Sequence, residues 1–279
     1  PNVILMNPPY NGQRIHLPES YVSTWPKEKK EDPSKGLYFV KYITDVLNSI
    51  NHQATLAVLL PVACAIGTKG VIKELKEQVE TYTNEPLFFV GHSWGAWLAL
   101  LFAVRYPGKV KQLILVGCAP FEEEYVSLIS ERRKKKLSEE EGAYWDLLVG
   151  KLERGYNRDD VLMELERLVV KSDHYRFRET EEDKRDILPV DGKMYSSVWR
   201  EAEKIRKDGR WKNLLSRVRC PVYVIHGEMD PHPLEGVIEP LFRANIKFRK
   251  IVLPRCGHSP FKEEEVCESF YDLLKSIVL

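Results

Sequence analysis

Three residues of this sequence have the types needed to hydrolyse an acyl bond. Ser93 stands in GHSWG, Asp230 in GEMDPHP and His258 in RCGHSP. A serine hydroxyl is a weak nucleophile that needs a histidine base, and the base needs a carboxylate to orient it. The set therefore predicts nucleophilic catalysis with Ser93 as the nucleophile, His258 as general base and acid, and Asp230 as the residue that orients His258.

The elements around these residues support this hypothesis, because each residue follows an apolar run typical of a strand. PLFFV (86–90) precedes Ser93, PVYVIHG (221–227) precedes Asp230, and FRKIVLP (248–254) precedes His258. The carboxyl ends of parallel strands meet at one edge of a sheet, so we expect the three side chains to come together there. The G-x-S-x-G pattern between a strand and the apolar helix 97–106 predicts a sharp turn with Ser93 in a strained conformation.

Three further histidines occur near these positions, and each has an ordinary structural interpretation. His92 lies inside the predicted turn, where we expect it to pack or to hydrogen-bond locally. His226 ends a predicted strand and is interpreted as a core residue with its hydrogen bonds satisfied. His232 is a weaker candidate base, because it is too close in sequence to Asp230 to come from a separate strand.

Short apolar runs alternate with amphipathic segments over the first 120 residues, which indicates a mainly parallel α/β sheet with covering helices. Residues 121–215 are predicted to form a helical insertion without strands, including a helix from the capping box at Ser138 to Leu152 and another from about Ser196 to near Gly209. Further elements are predicted as strands at 3–6, 55–62 and 111–117 and as helices at 36–50, 71–82, 234–242 and 266–278.

From about residue 86 to residue 279 the chain resembles an α/β-hydrolase of the proline iminopeptidase-like group. The resemblance is carried by GHSWGAWLALLFAVRYPGKVKQLILVG, CPVYVIHGEMDPHP and CGHSPF. It implies a core formed by 1–120 and 216–279, a helical cap at 121–215, and cleavage of a small amide or ester through an acyl-enzyme at Ser93. It also implies that the backbone N–H of Trp94 is an oxyanion donor. The choice between a peptidase and an esterase stays open.

The first 76 residues resemble part of an adenine-N6 DNA methylase, through VILMNPPYNG and the segments that follow it. That resemblance would make Asn7 and Tyr10 remnants of a base-binding site. Six residues of the sequence precede Asn7 and no G-x-G pattern occurs elsewhere, so we expect no site for the cofactor of a methylase. We interpret the segment as completing the hydrolase sheet, with a seam between Lys76 and Pro86. A remnant methyltransferase and an inactive chimera are the alternatives.

The same stretch occupies the place of the loop that supplies the second oxyanion donor in α/β-hydrolases. Here the loop reads NPPYNG from residue 7 to residue 12. Pro8 and Pro9 have no N–H, so neither can donate a hydrogen bond to the oxyanion. This predicts a hydrolase that is impaired by its oxyanion loop.

The composition narrows the remaining function classes. The 279 residues carry a net charge of +1, which gives no electrostatic reason to expect nucleic acid. The five cysteines are widely spaced without a C-x-x-C pair, so we expect reduced thiols rather than disulfides or a zinc site. With no signal-peptide or membrane-span pattern, we expect a cytoplasmic protein with a small-molecule or peptide substrate, no membrane partner, and no metal or organic cofactor. The oligomeric state is left open.

Overall fold

The computed structural model describes residues 3–6, 56–58, 72–73, 75–77, 79–80, 84–156, 159–178 and 192–278. Within them, six strands form one parallel sheet in the order β2-β1-β3-β4-β5-β6. The strands are β1 Val3–Met6, β2 Leu56–Val58, β3 Leu87–His92, β4 Val110–Val116, β5 Val222–Gly227 and β6 Phe248–Leu253. All six predicted strands are present, although β2 is shorter than the predicted 55–62. The predicted helix 36–50 lies outside the described residues.

Strands β3, β4 and β5 alternate their side chains between two hydrophobic clusters, one on each face of the sheet. On β4, Leu113 and Leu115 pack into one cluster, while Ile114 and Val116 pack into the other. Successive side chains of a strand point to opposite faces, so both faces of an internal strand must be apolar when helices cover both. This is why the buried strands of this chain are continuous apolar runs.

Eight labelled helices surround or interrupt the sheet in the described part of the chain. In chain order they are α1 Trp94–Arg105, α2 Val126–Lys134, α3 Glu139–Glu153, α4 Asp159–Asp173, α5 Gly192–Lys207, α6 Arg210–Leu215, α7 Glu235–Arg243 and α8 Cys267–Val278. The described residues between positions 72 and 80 are also helical, as predicted. Across the described ranges, no helix is both long enough and apolar enough to cross a membrane.

In the described part of the chain, helices α2 to α6 lie between β4 and β5, in the segment predicted as a helical insertion. The capping box at the start of α3 is formed: the backbone N–H of Glu141 donates to Ser138 Oγ at 3.2 Å, and the Ser138 N–H donates to Glu141 Oε2 at 2.9 Å. Helices α3 and α4 bury a cluster of their own. Helix α5 begins at Gly192, four residues before the predicted Ser196.

Candidate active site

Ser93 occupies a sharp turn between β3 and α1. Its backbone has φ 54° and ψ −120°, one of three positive φ values among the described non-glycine residues. Such a conformation is strained for a residue with a Cβ, and strain of this kind persists only where the surroundings enforce it. The Ser93 N–H donates to the Val116 carbonyl at 2.9 Å, which ties the turn to β4. The predicted sharp turn with Ser93 in a strained conformation is therefore present.

Gly91 allows the strand and the helix to approach closely at this turn. A Cβ built at Gly91 would lie 2.4 Å from the Gly95 carbonyl oxygen and 2.6 Å from the Ala96 Cα. Both neighbours are backbone atoms at the start of α1, so they cannot move aside without moving the helix. The first glycine of the pattern is therefore required by the geometry of the turn.

Asp230 and His258 contact each other across the loops that follow β5 and β6. His258 Nδ1 lies 3.0 Å from Asp230 Oδ2, and both side chains are buried. An ionised carboxylate can only accept hydrogen bonds, so Nδ1 must carry the proton and donate it. Nε2 of His258 is then the nitrogen left to accept a proton from a nucleophile. The predicted base and orienting residue thus form a hydrogen-bonded pair.

The negative charge of Asp230 and the positive charge of protonated His258 stabilise each other. Burial alone would raise the pKa of Asp230, but the neighbouring His258, His226 and His232 hold it well below its usual range. Burial likewise opposes protonation of His258, yet the charge of Asp230 and its hydrogen bond raise the pKa of His258 above the ordinary value. The site therefore keeps Asp230 ionised and favours a proton on His258.

His232 also binds Asp230, which the sequence interpretation did not predict. Its backbone N–H and its Nδ1 each lie 2.8 Å from Asp230 Oδ1. Its ring stacks on that of His258, with centroids 4.1 Å apart and planes inclined by 26°. His226 Nε2 donates to the His232 carbonyl at 2.8 Å and lies 3.4 Å from Asp230 Oδ2. Three histidines therefore surround one carboxylate.

His92 makes a distant contact rather than the local one expected from sequence. Its Nε2 lies 3.0 Å from the carbonyl oxygen of His258, 166 positions further along the chain. Burial and the nearby His258 lower the pKa of His92 to about 3, so the ring is neutral near pH 7. Because a carbonyl only accepts, His92 Nε2 is the donor. The residue before the predicted nucleophile thus holds the backbone of the predicted base.

Asp173 brings a second buried carboxylate to His258 from the C-terminal end of α4. The His258 N–H donates to the Asp173 carbonyl oxygen at 2.7 Å. Arg133 of α2 binds both side-chain oxygens of Asp173, through Nε at 2.6 Å and the terminal amino group at 2.7 Å. Burial would raise the pKa of Asp173, but the charge of Arg133 lowers it below its usual value. Helices α2 and α4 are thereby connected to the loop of His258.

Glu263 joins the same loop to the residues that follow α4. Its carboxylate accepts hydrogen bonds from the backbone N–H groups of Gly257 at 2.8 Å, Tyr175 at 3.0 Å and Arg176 at 2.8 Å. The residue is 1% exposed, so these bonds replace water that the carboxylate would otherwise bind. An isolated antiparallel bridge between Phe177 and Glu263 continues the connection.

Asp173, His232 and His258 could in principle hold a metal ion, since one ligand atom from each lies within 4.8 Å of the others. The ligand chemistry argues against this use. Both oxygens of Asp173 already bind Arg133, whose positive charge opposes a cation. The Nδ1 atoms of His232 and His258 already face Asp230, which leaves one nitrogen on each ring. The three residues therefore belong to the buried cluster around Asp230 and His258.

The remaining predicted site residues divide into two groups. Trp94 is the first residue of α1, and the first N–H groups of a helix have no partner within the helix. Its backbone N–H therefore lies next to the turn at Ser93, and its oxyanion role stays a prediction. Asn7 and Tyr10 lie outside the described residues, as does the whole predicted oxyanion loop 7–12.

Sequence reasoning missed the roles of His92, His232, Asp173, Arg133 and Glu263. For His232 a signal was present, because two prolines fix the backbone of PHP directly after Asp230. The two buried acidic residues gave none, since Asp173 and Glu263 resemble the many solvent-exposed acidic residues of this charged chain.

The comparisons with known proteins agree with this fold. The model of the "Alpha/beta hydrolase family" matches residues 57–268. The proline iminopeptidase of Mycobacterium smegmatis is 16% identical, with a TM-score of 0.56 over 100% of this chain and 88% of that chain. The monoacylglycerol lipase of Paleococcus ferrophilus is 13% identical, with a TM-score of 0.52 over 99% of this chain and 92% of that chain. No curated protein matches the sequence.

The predicted methylase fragment and chimera find no support. The family match starts at residue 57, inside the segment that resembles a methylase, and continues through the predicted seam between Lys76 and Pro86. Strands β1 and β2 pair in parallel with each other, and β1 pairs with β3. Because the family match spans 57–268, well over half of its 279 residues, the chain belongs to the alpha/beta hydrolase family of enzymes.

Proposed function

We propose that this enzyme is a serine hydrolase that cleaves a small amide or ester through an acyl-enzyme on Ser93. The observation that carries the proposal is the buried 3.0 Å contact between His258 Nδ1 and Asp230 Oδ2, at the sheet edge where Ser93 stands on a strained turn. A histidine whose Nδ1 is held by a carboxylate presents a basic Nε2, which is the group that a serine nucleophile needs.

In the first half of the reaction, Ser93 Oγ attacks the carbonyl carbon of the substrate while its proton passes to His258 Nε2. The tetrahedral intermediate then collapses, and the same proton goes to the leaving amine or alcohol. The substrate acyl group remains on Ser93 as an ester. Asp230 stays ionised and stabilises the imidazolium that forms.

In the second half, water attacks the acyl-enzyme and gives one proton to His258. Collapse of this intermediate returns a proton to Ser93 Oγ and releases the carboxylic acid. The Trp94 N–H stabilises the oxyanion in both halves, together with the positive end of the α1 dipole. The proposal includes a second oxyanion donor from residues 7–12. Because Pro8 and Pro9 have no N–H, we expect this donor to stabilise the oxyanion only weakly.

The finer assignment to the proline iminopeptidase-like group is also a proposal. Amides and esters share the acyl-enzyme route, so the geometry at Ser93 serves both. Activity on p-nitrophenyl acetate is compared with activity on prolyl and alanyl p-nitroanilides: cleavage of an anilide would support an aminopeptidase, and cleavage of the ester alone would support an esterase. We expect the activated ester to react fastest, because it requires the least help from an impaired oxyanion site.

Labelling with a fluorophosphonate tests the proposal without knowledge of the substrate. The intact protein should label at Ser93, and labelling should be lost in Ser93→Ala and His258→Ala. Ser259 is the matched control, since it is also buried, lies beside His92 and precedes the short helical turn Pro260–Lys262. Ser259→Ala should still label. Labelling that persists in Ser93→Ala would show that the nucleophile is a different residue.

A further inference from the structure

We propose that His232 is a positioning residue for Asp230 and His258, which it serves by holding one oxygen of Asp230 and stacking on His258. No prediction from the sequence assigned it this role. The inference rests on the proposed serine-hydrolase function, because it concerns how the base of that reaction is held.

The first contribution is a hydrogen-bonding one. Asp230 Oδ1 accepts both the backbone N–H and the Nδ1–H of His232, each at 2.8 Å. The other oxygen, Oδ2, is left for His258 Nδ1 at 3.0 Å. The side chain of Asp230 is fully buried, so rotation of the carboxylate would break bonds that water cannot replace. His232 thereby fixes which oxygen faces His258.

His232 is itself held in place from three sides. Pro231 and Pro233 flank it, and a following proline restricts the residue before it to extended conformations. The His226 Nε2–H donates to its carbonyl oxygen at 2.8 Å. The ring is buried, so it is not free to rotate into solvent. A residue fixed in this way can position a neighbour.

The second contribution comes from the stacked rings. His258 becomes an imidazolium during the reaction, and an aromatic face next to a buried cation stabilises it. The His232 ring lies against it at 4.1 Å between centroids. Burial, followed by the charge of His258, lowers the pKa of His232 to about 4, so it stays neutral while His258 is charged. Only one of the two stacked rings therefore carries the proton.

Other groups act on His258 and must be kept constant in any test. The charged or titratable groups that act on His258 are Asp230 and His92, together with Asp173, His174 and Arg133. Substitutions at His232 leave all five in place.

Two substitutions separate the two contributions. His232→Asn keeps a donor close to the position of Nδ1 but removes the ring. His232→Phe keeps an aromatic ring but removes the donor. His232→Ala removes both and leaves only the backbone N–H. The measurements are kcat and KM for p-nitrophenyl acetate, the acid limb of kcat/KM against pH, and the melting temperature of each variant.

We expect kcat to fall about threefold in His232→Asn, about tenfold in His232→Phe and about 30-fold in His232→Ala, with KM changed less than about twofold. The acid limb reports the pKa of His258 in the free enzyme. It should move to lower pH in His232→Asn, because the imidazolium loses an aromatic face. It should move to higher pH in His232→Phe, because Asp230 loses one hydrogen bond and then stabilises the imidazolium of His258 more strongly.

Opposite shifts of the acid limb cannot arise from a general loss of packing. The proposal is overturned if His232→Ala keeps the wild-type kcat and acid limb. It is also overturned if all three variants lose activity only in proportion to a lower melting temperature. Fluorophosphonate labelling of the wild type separates this from the parent proposal: absence of labelling at Ser93 overturns the serine hydrolase itself. Labelling that persists in His258→Ala and is lost in His232→Ala would make His232 the base.

Discussion

The backbone N–H of His258 donates to the carbonyl oxygen of Asp173 at 2.7 Å. The candidate base is therefore held by the last residue of α4, which belongs to the helical insertion and not to the sheet. The side chain of Asp173 is in turn bound by Arg133 of α2. Two helices of the insertion are thus connected to the loop after β6. A rearrangement of those helices should therefore displace His258.

The first prediction concerns the Arg133–Asp173 pair, whose side chains are 13% and 6% exposed. Arg133→Met should destabilise the protein by about 3 kcal/mol, because it leaves a buried carboxylate without its cation. The neighbouring Arg132 is the control: its contact with Glu235 is 3.7 Å, with side chains 40% and 55% exposed. Arg132→Met should lower the free energy of unfolding by less than about 0.5 kcal/mol. Urea unfolding measures both.

The double variant Arg133→Met/Asp173→Asn gives a further check. Removing the carboxylate charge should restore part of the stability lost in Arg133→Met, since no unpaired charge is then buried. Equal stability of the single and double variants would contradict the buried-charge explanation.

The second prediction concerns Glu263, whose carboxylate accepts three backbone N–H groups. Glu263→Gln should destabilise by about 2 kcal/mol, because an amide keeps the shape but places its own N–H groups against some of these donors. It should also slow fluorophosphonate labelling, since Gly257 precedes His258. The exposed neighbour Glu264 supplies the control, and Glu264→Gln should leave both properties unchanged. A stable but slow Glu263→Gln variant would still agree with a positioning role, whereas unchanged labelling would not.

The sheet, the turn at Ser93 and the contact between Asp230 and His258 were predictable, because all three are governed by local patterns. Continuous apolar runs mark strands buried on both faces, and each of the three residues follows such a run. Element ends were less predictable. Helix α1 begins at Trp94, three residues before the predicted start, because the tight turn at Ser93 leads directly into the helix. A window of apolar periodicity does not detect a helix start that contains glycine.

The surroundings of the site could not be predicted for a different physical reason. Asp173 and His258 are far apart in the sequence, and their contact is between backbone atoms, which carry no residue signature. His92 and His232 were visible as histidines beside the motifs. Their partners, a distant carbonyl oxygen and an already assigned carboxylate, became evident only once the three loops were placed at one sheet edge.

The third prediction concerns the pH dependence of stability. Burial lowers the pKa of His92 to about 3 and that of His232 to about 4, whereas in the unfolded chain both titrate near the ordinary histidine value of about 6.5. Below that value both histidines are protonated in the unfolded chain but remain neutral in the folded protein. The free energy of unfolding should therefore fall between about pH 6.5 and 4.5, by up to about 1.4 kcal/mol per pH unit for each histidine.

His258 contributes with the opposite sign, because its folded pKa is raised: its stabilisation is complete below the unfolded value and is lost as pH rises through the folded one. Asp230 and Asp173 have lowered pKa values, so their contributions are lost only below about pH 4. Urea unfolding at about pH 4.5, 5.5 and 6.5 measures the combined effect of His92, His232 and His174, since burial lowers the pKa of His174 as well. Glutamine can still donate to the His258 carbonyl oxygen. His92→Gln should therefore reduce the slope of the free energy of unfolding against pH by an amount corresponding to at most one bound proton. An unchanged slope would contradict the lowered pKa of His92.

The last prediction concerns Gly257, which packs against the end of α4. A Cβ at this position would lie 2.0 Å from the Asp173 carbonyl oxygen, the acceptor of the His258 N–H, and 2.8 Å from Glu263 Oε1. Gly257→Ala must therefore push α4 away from the loop, which should destabilise the protein by about 2 kcal/mol or more and slow labelling at Ser93 at least about tenfold. Gly142 in α3 is the matched control, because a Cβ placed there would have no atom within 4 Å. Gly142→Ala should instead stabilise by about 0.5–1 kcal/mol through the better helix propensity of alanine, without an effect on labelling. Thermal melts and labelling rates of the two variants decide the matter: equal behaviour of Gly257→Ala and Gly142→Ala would mean that α4 does not hold the loop of His258.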